Sequence, residues 1–158
     1  MNIFTVSFFG HRMIDRPFLI EQRLESLIRR LINTKEYVDF IVGRSGDFDQ
    51  YASSAVLRVR KAVGDHNSSL TLVLPYPTAE YLNNQESFED YYSYVEVSDA
   101  ASAAHHKAAF QIRNREMVDR SDLIVCCIER EQGGAWQTIQ YAIKQGKTVI
   151  NLADGTEM

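Results

Sequence analysis

Short apolar, β-rich runs alternate along this chain with longer segments whose apolar residues recur at helical spacing. Ile3 to Phe9 is such a run and stops at Gly10. Asp15 then reads as a helix cap, with Pro17 in the first turn. Ile20, Leu24, Leu27, Ile28 and Leu31 follow as one helical stripe. Val38 to Val42 is a second run, closed by Gly43. Phe48, Ala52, Ala55, Val56, Val59 and Val63 make the next stripe, from Asp47 to Gly64. Leu70 to Leu74 is the third run, stopped by Pro75. This β-α-β-α-β order predicts parallel strands joined by right-handed crossovers.

The pattern breaks between Tyr76 and about Ala104, where the chain is acidic and aromatic with no clear period. It resumes with a helix from about Ala104 to Arg120 and a strand from Leu123 to Ile128. A helix from Gly134 to Gln145 follows, with Trp136, Ile139 and Ile143 directed inward, then a strand from Thr148 to Leu152. The expectation is an α/β fold: a Rossmann-like, five-stranded parallel sheet with helices on both faces. Residues 1–158 read as a single nucleotide-binding domain with an acidic and aromatic insertion at about 76–104.

Composition narrows the class. With 158 residues, 45% of them apolar and 24% charged, the chain is long enough for one packed core. Its longest apolar runs fall far short of a membrane span. The first residues lack a basic stretch and a small-residue cleavage site, so no signal peptide is expected and the cytoplasm is the default location. Cys126 and Cys127 are adjacent, so on a strand they point to opposite faces and read as small core residues. The net charge of −4 argues against nucleic acid as the main partner. No lysine or arginine stands between Lys61 and Lys107, a stretch that carries seven acids. Its tyrosines suit either a lid over a base or an oligomer contact. A dimer through that segment or through a sheet edge stays open. His105-His106 has no third ligand at metal-binding spacing, so no metal is expected.

In open parallel sheets, ligands bind beyond the carboxyl ends of the strands, where strand order reverses. The loops there read Gly10-His11-Arg12, Gly43-Arg44-Ser45-Gly46-Asp47 and Gly133-Gly134-Ala135. Gly10 allows close backbone approach, and Arg12 can fork onto phosphate. The same loop also reads as a turn glycine followed by a surface arginine. Gly43 and Gly46 stand at a strand-to-helix junction suited to anions. Asp47 or Asp49 fits a ribose hydroxyl, though Asp47 equally reads as a plain cap. Gly133 and Gly134 open the last helix with bare amides at its positive dipole end, and Thr138 adds a hydroxyl one turn on. Arg115 with Asp119, and Glu116 with Arg120, read as surface ion pairs. Arg113 has no charged partner at helical spacing and reads as a ligand contact. Its reversal to glutamate is expected to abolish binding and leave the fold intact.

Taken together, these motifs resemble a family. Phe8-Phe9-Gly10-His11-Arg12, Gly43-x-x-Gly46-x-x-Asp49, Arg113-Asn114-Arg115-x-Met117-Val118-Asp119-x-Ser121-Asp122, Gly133-Gly134-Ala135-x-Gln137-Thr138 and Lys147 to Leu152 are similar to a small bacterial SLOG protein. That superfamily joins the Rossmann-like domain of DNA-processing protein A to the LONELY GUY phosphoribohydrolases. The resemblance implies a pocket for nucleotides or nucleotide-derived signals and, for many members, a sensor or effector role. Asn114, within the third motif, is carried into the candidate site by it. Tyr141 stands where the LONELY GUY enzymes place a glutamate, and Gln137 replaces the second glycine of their motif. The expectation is therefore binding or sensing of a nucleotide or ADP-ribose-like molecule, with no certain cofactor and no assigned catalytic residue. N-glycosidic hydrolysis or transfer is the alternative. A nucleic-acid or protein interaction module is the second alternative.

Overall fold

The computed structural model describes residues 1–154, 156 and 157. Five βα alternations build its sheet: β1 (Ile3–Gly10), α1 (Pro17–Thr34), β2 (Tyr37–Val42), α2 (Asp47–Val63) and β3 (Ser68–Leu74) come first. Then come α3 (Ala79–Asn83), α4 (Gln85–Tyr91), β4 (Tyr94–Val97), α5 (Asp99–Ala103) and α6 (His106–Asp119). The chain closes with β5 (Leu123–Cys127), α7 (Gly134–Lys144), β6 (Thr148–Asn151) and β7 (Thr156–Glu157). The strands lie in the order β4-β3-β2-β1-β5-β6-β7. All pairings from β4 to β6 are parallel, and the two-residue β7 is antiparallel to β6.

Among the described residues the sheet therefore has six parallel strands, where the sequence pattern predicts five. The additional one is β4, inside the segment read as aperiodic. Its four residues alternate exposed and half-buried at the sheet edge. Helices α3 and α4, at 5 and 7 residues, are too short to show an apolar period.

Period-two alternation assigns each central strand to two cores. Val6 and Phe8 of β1, Phe40 of β2, Leu72 of β3 and Val125 of β5 meet the stripe of α1 and α2. Phe9, Ile41, Val73, Ile124 and Cys126 turn to the other face and meet Met117, Val118, Ile139 and Ala142 of α6 and α7. Cys126 and Cys127 thus lie in different cores, both as free thiols. The α1 stripe is buried as its spacing predicts.

Several local expectations are corrected. Arg16, not Asp15, holds the cap position of α1, and no side chain caps it. Gly46 holds that position in α2, so Asp47 is its first residue, and Asp49 serves the end instead by accepting from Ser45 N at 2.8 Å. On α7 the buried face is Thr138, Ile139 and Ala142; Ile143 is 43% exposed and Trp136 half-buried. Arg120 pairs with Glu96 at 2.7 Å rather than with Glu116. Arg115 lies over the Tyr141 ring, and Tyr141 Oη donates to Asp119 at 2.7 Å. Among the described residues no helix is long and apolar enough to cross a membrane.

Candidate functional site

The chain departs from β1 in opposite directions, through β2 to one edge and through β5 to the other. Gly10 pairs with Cys127 in the last register of β1 and β5. Their carboxyl ends and the diverging loops leave a cleft at this switch point. A cavity of about 550 Å³ occupies it.

Four chain segments wall the cavity. Phe8, Phe9 and Gly10 end β1, and His11 and Arg12 follow. Gly43, Ser45 and Asp49 come from the β2–α2 junction. Phe110, Gln111, Arg113 and Asn114 come from α6. Arg130, Gln132, Gly133, Gly134 and Ala135 come from the β5–α7 loop. Of the twelve residues singled out in the sequence, Gly10, His11, Arg12, Gly43, Asp49, Arg113, Asn114, Gly133 and Gly134 meet here. Gly46, Asp47 and Thr138 do not line the cavity.

Those three have internal tasks. A β-carbon at Gly46 would lie 2.6 Å from Arg12 Cα, so only glycine lets the two loops close on each other. Asp47 N donates to Arg12 O at 2.9 Å and locks that contact. Thr138 is fully buried and donates its hydroxyl to Gly134 O at 2.9 Å. Gly133, by contrast, is required by the backbone alone. It holds φ +93° at the cap of α7 with nothing near its missing β-carbon.

Arg113 lines the cavity, but its guanidinium is already engaged inside the fold. It is 3% exposed. Its Nη1 donates to Val73 O at 2.8 Å and its Nε to Asn114 Oδ1 at 2.9 Å. Asn114 Nδ2 in turn donates to Thr138 Oγ1 at 3.0 Å, linking α6 to α7. Burial lowers the Arg113 pKa, and the Asp49 charge raises it. Burial likewise raises Asp49, against the opposing pull of Ser45 N–H and Arg113. Reversing Arg113 to glutamate would bury a second carboxylate near Asp49, so a large loss of stability is expected in place of an intact fold.

His11 is 6% exposed, and its Nε2 has no hydrogen-bond partner among the described residues. Burial, then the charge of Arg130, lower its pKa, which keeps the ring neutral at pH 7. Arg12 and Arg130 reach the cavity as exposed side chains. Among the described residues, the cavity therefore gathers three guanidinium groups against the single carboxylate of Asp49. Beside them stands the amino end of α7, whose first amides have no helical acceptor. Such a site can hold an anion.

Sequence reasoning missed Arg130, which sits between Glu129 and Glu131 and so reads as part of a solvated charge run. Its place in the strand-to-helix loop, three residues before Gly133, is the signal that could have found it. Phe110 and Gln111 were hidden by the weak amphipathicity of α6. Among the described residues no group of three or more histidine, cysteine or acidic side chains is placed to hold a metal ion.

No family model matches the sequence, and no curated protein matches it. Solved structures do. DNA processing protein A from Streptococcus pneumoniae superposes with a TM-score of 0.67 at 17% identity, over 94% of this chain and 50% of that one. DNA processing protein A from Helicobacter pylori, studied for its single-stranded DNA binding mode, superposes with a TM-score of 0.63 at 18% identity, over 94% of this chain and 64% of that one. The chain thus spans less than two thirds of either protein. What it has in common with them at this identity is architecture: the chain carries the Rossmann-like fold of DNA processing protein A.

Proposed function

We propose that this protein binds a phosphorylated small molecule of nucleotide or ADP-ribose type at the carboxyl edge of its sheet. The observation that carries this reading is the charge of the cavity: Arg12, Arg113 and Arg130 face it with one carboxylate between them among the described residues. On this reading the amides of Gly133 and Gly134 and the guanidinium of Arg130 take the phosphate, and Arg12 closes over it. Arg113 sets the shape and potential of the floor without giving up its bonds. Binding without turnover is favoured because Tyr141 lies outside the cavity, bonded to Asp119. Asp49, the one lining carboxylate among the described residues, is tied to Ser45 N.

The test is isothermal calorimetry with nucleoside mono-, di- and triphosphates and ADP-ribose, with recovered ligand checked by mass spectrometry. Wild type should bind at least one of them and return it intact. The double variant R12E/R130E, at two exposed positions, should lose binding with an unchanged melting temperature. Absence of binding across the panel overturns the proposal, and release of free base overturns its second half.

A second reading has one observation in its favour, the fold held in common with a protein that binds single-stranded DNA. Against it stands the net charge of −4. A gel shift with single-stranded DNA at low salt, where phosphate contacts are strongest, decides between them.

A further inference from the structure

We infer that Phe110 forms a base subsite in this cavity, so that the ligand is a mononucleotide with its base against Phe110 and its phosphate at the α7 end. This rests on the phosphate reading above and specifies which part of the ligand each wall takes. Phe110 is a large apolar ring on a wall otherwise made of amides and guanidinium groups, and it is 37% exposed. Two elements brace it there. The Tyr76 ring, beyond the end of β3, meets it edge-on at 5.9 Å and 84°. Tyr76 is itself held by His106, whose Nε2 lies 3.2 Å from the phenol oxygen. From its own helix, Arg113 Cζ lies 5.4 Å from the Phe110 centroid.

The Arg113 guanidinium lies over the ring, and the part it leaves in water at the rim of a cationic cavity is a flat apolar surface to which a nucleobase is the complementary shape. The two walls are within one ligand of each other. Gln111, the residue after Phe110, donates to Gly134 O at 3.3 Å, at the start of α7. The volume of about 550 Å³ accommodates a single nucleotide. A sugar phosphate would fill the α7 end and leave Phe110 wet.

The experiment is calorimetry of wild type, F110L and F110W against the four common nucleoside 5′-monophosphates and ribose 5-phosphate at fixed ionic strength. F110L keeps apolar bulk without a ring, and F110W keeps a ring. The best monophosphate should bind wild type about tenfold more tightly than ribose 5-phosphate, the size of one base–aromatic contact. F110L should erase that ratio without changing ribose 5-phosphate affinity, and F110W should retain it. An unchanged ratio in F110L overturns the base subsite while the phosphate reading stands. Wild type that binds ribose 5-phosphate and the monophosphates equally also overturns it. Binding of neither class to wild type overturns the mononucleotide base subsite, and it overturns the phosphate reading as well when nucleoside di- and triphosphates and ADP-ribose also fail to bind.

Discussion

The β-carbon that Gly10 lacks would lie 2.3 Å from Cγ of Phe48. Phe48 is fully buried at the start of α2, against Phe8. The turn after β1 can therefore approach α2 only with glycine at its start.

Gly10→Ala should destabilise the protein by ~1–3 kcal/mol, the usual cost of overpacking a closed core. Urea denaturation measures it. Combining G10A with Phe48→Ala should recover part of the loss, because the two positions share one volume. Strict additivity of the two changes would show that the clash is relieved elsewhere.

Arg113→Met should cost about 3–5 kcal/mol, since it removes the donor to Val73 O and leaves buried Asp49 without its nearby positive charge. Arg113→Lys should cost less by restoring the charge, but it cannot serve Val73 O and Asn114 Oδ1 together as the guanidinium does. Chemical denaturation of both variants at pH 7 gives the order. Equal stability of R113M and wild type would remove Arg113 from the structural role assigned to it.

The raised pKa of Asp49 sets the sign of a pH effect. A carboxyl that holds its proton more tightly when folded contributes stability at low pH. That contribution is lost as pH rises from the ordinary value of 3.8 through the folded-state value. Asp49→Asn keeps an oxygen to accept from Ser45 N and removes the titration. The melting temperature of wild type relative to D49N should therefore fall as pH rises from 4 to 7 in otherwise identical buffers. A flat difference would refute the shift.

Both thiols should resist alkylation in the folded protein. Burial pushes Cys127 up to about 12, with the Glu129 carboxylate adding to it, and burial raises Cys126 as well. Iodoacetamide at pH 8 should modify neither until denaturant is added, and then both, as read by intact mass. Rapid labelling of either in native buffer would contradict the packing of β5.

Most of the sheet is legible in the sequence because buried strands and amphipathic helices each carry their own period. Ile20, Leu24, Leu27, Ile28 and Leu31 announce α1 directly, and all five are buried. β4 is not legible, since four edge residues with two half-buried positions carry almost no pattern. The cavity is legible in outline, because strand ends and glycine turns reveal where loops converge. Its division of tasks is not. Arg113 looks unpartnered along its helix, and its acceptor, Val73 O, lies 40 residues away on β3. Thr138 looks like a ligand hydroxyl, and its acceptor is a backbone oxygen one turn back. Such partners are set by tertiary packing, which spacing along one element does not encode.

Gly10, Gly43 and Gly46 are each held by a neighbour inside the fold: Phe48, the Arg113 guanidinium and Arg12 Cα. The loops around the cavity are thus packed in place by the fold itself, and their ordering entropy is settled during folding. Selectivity and scaffold are consequently separable. On the proposed reading, exchanging Arg12, Phe110 or Arg130 would retune what is accepted, while the three glycines would go on holding the loops in place whichever guest is taken.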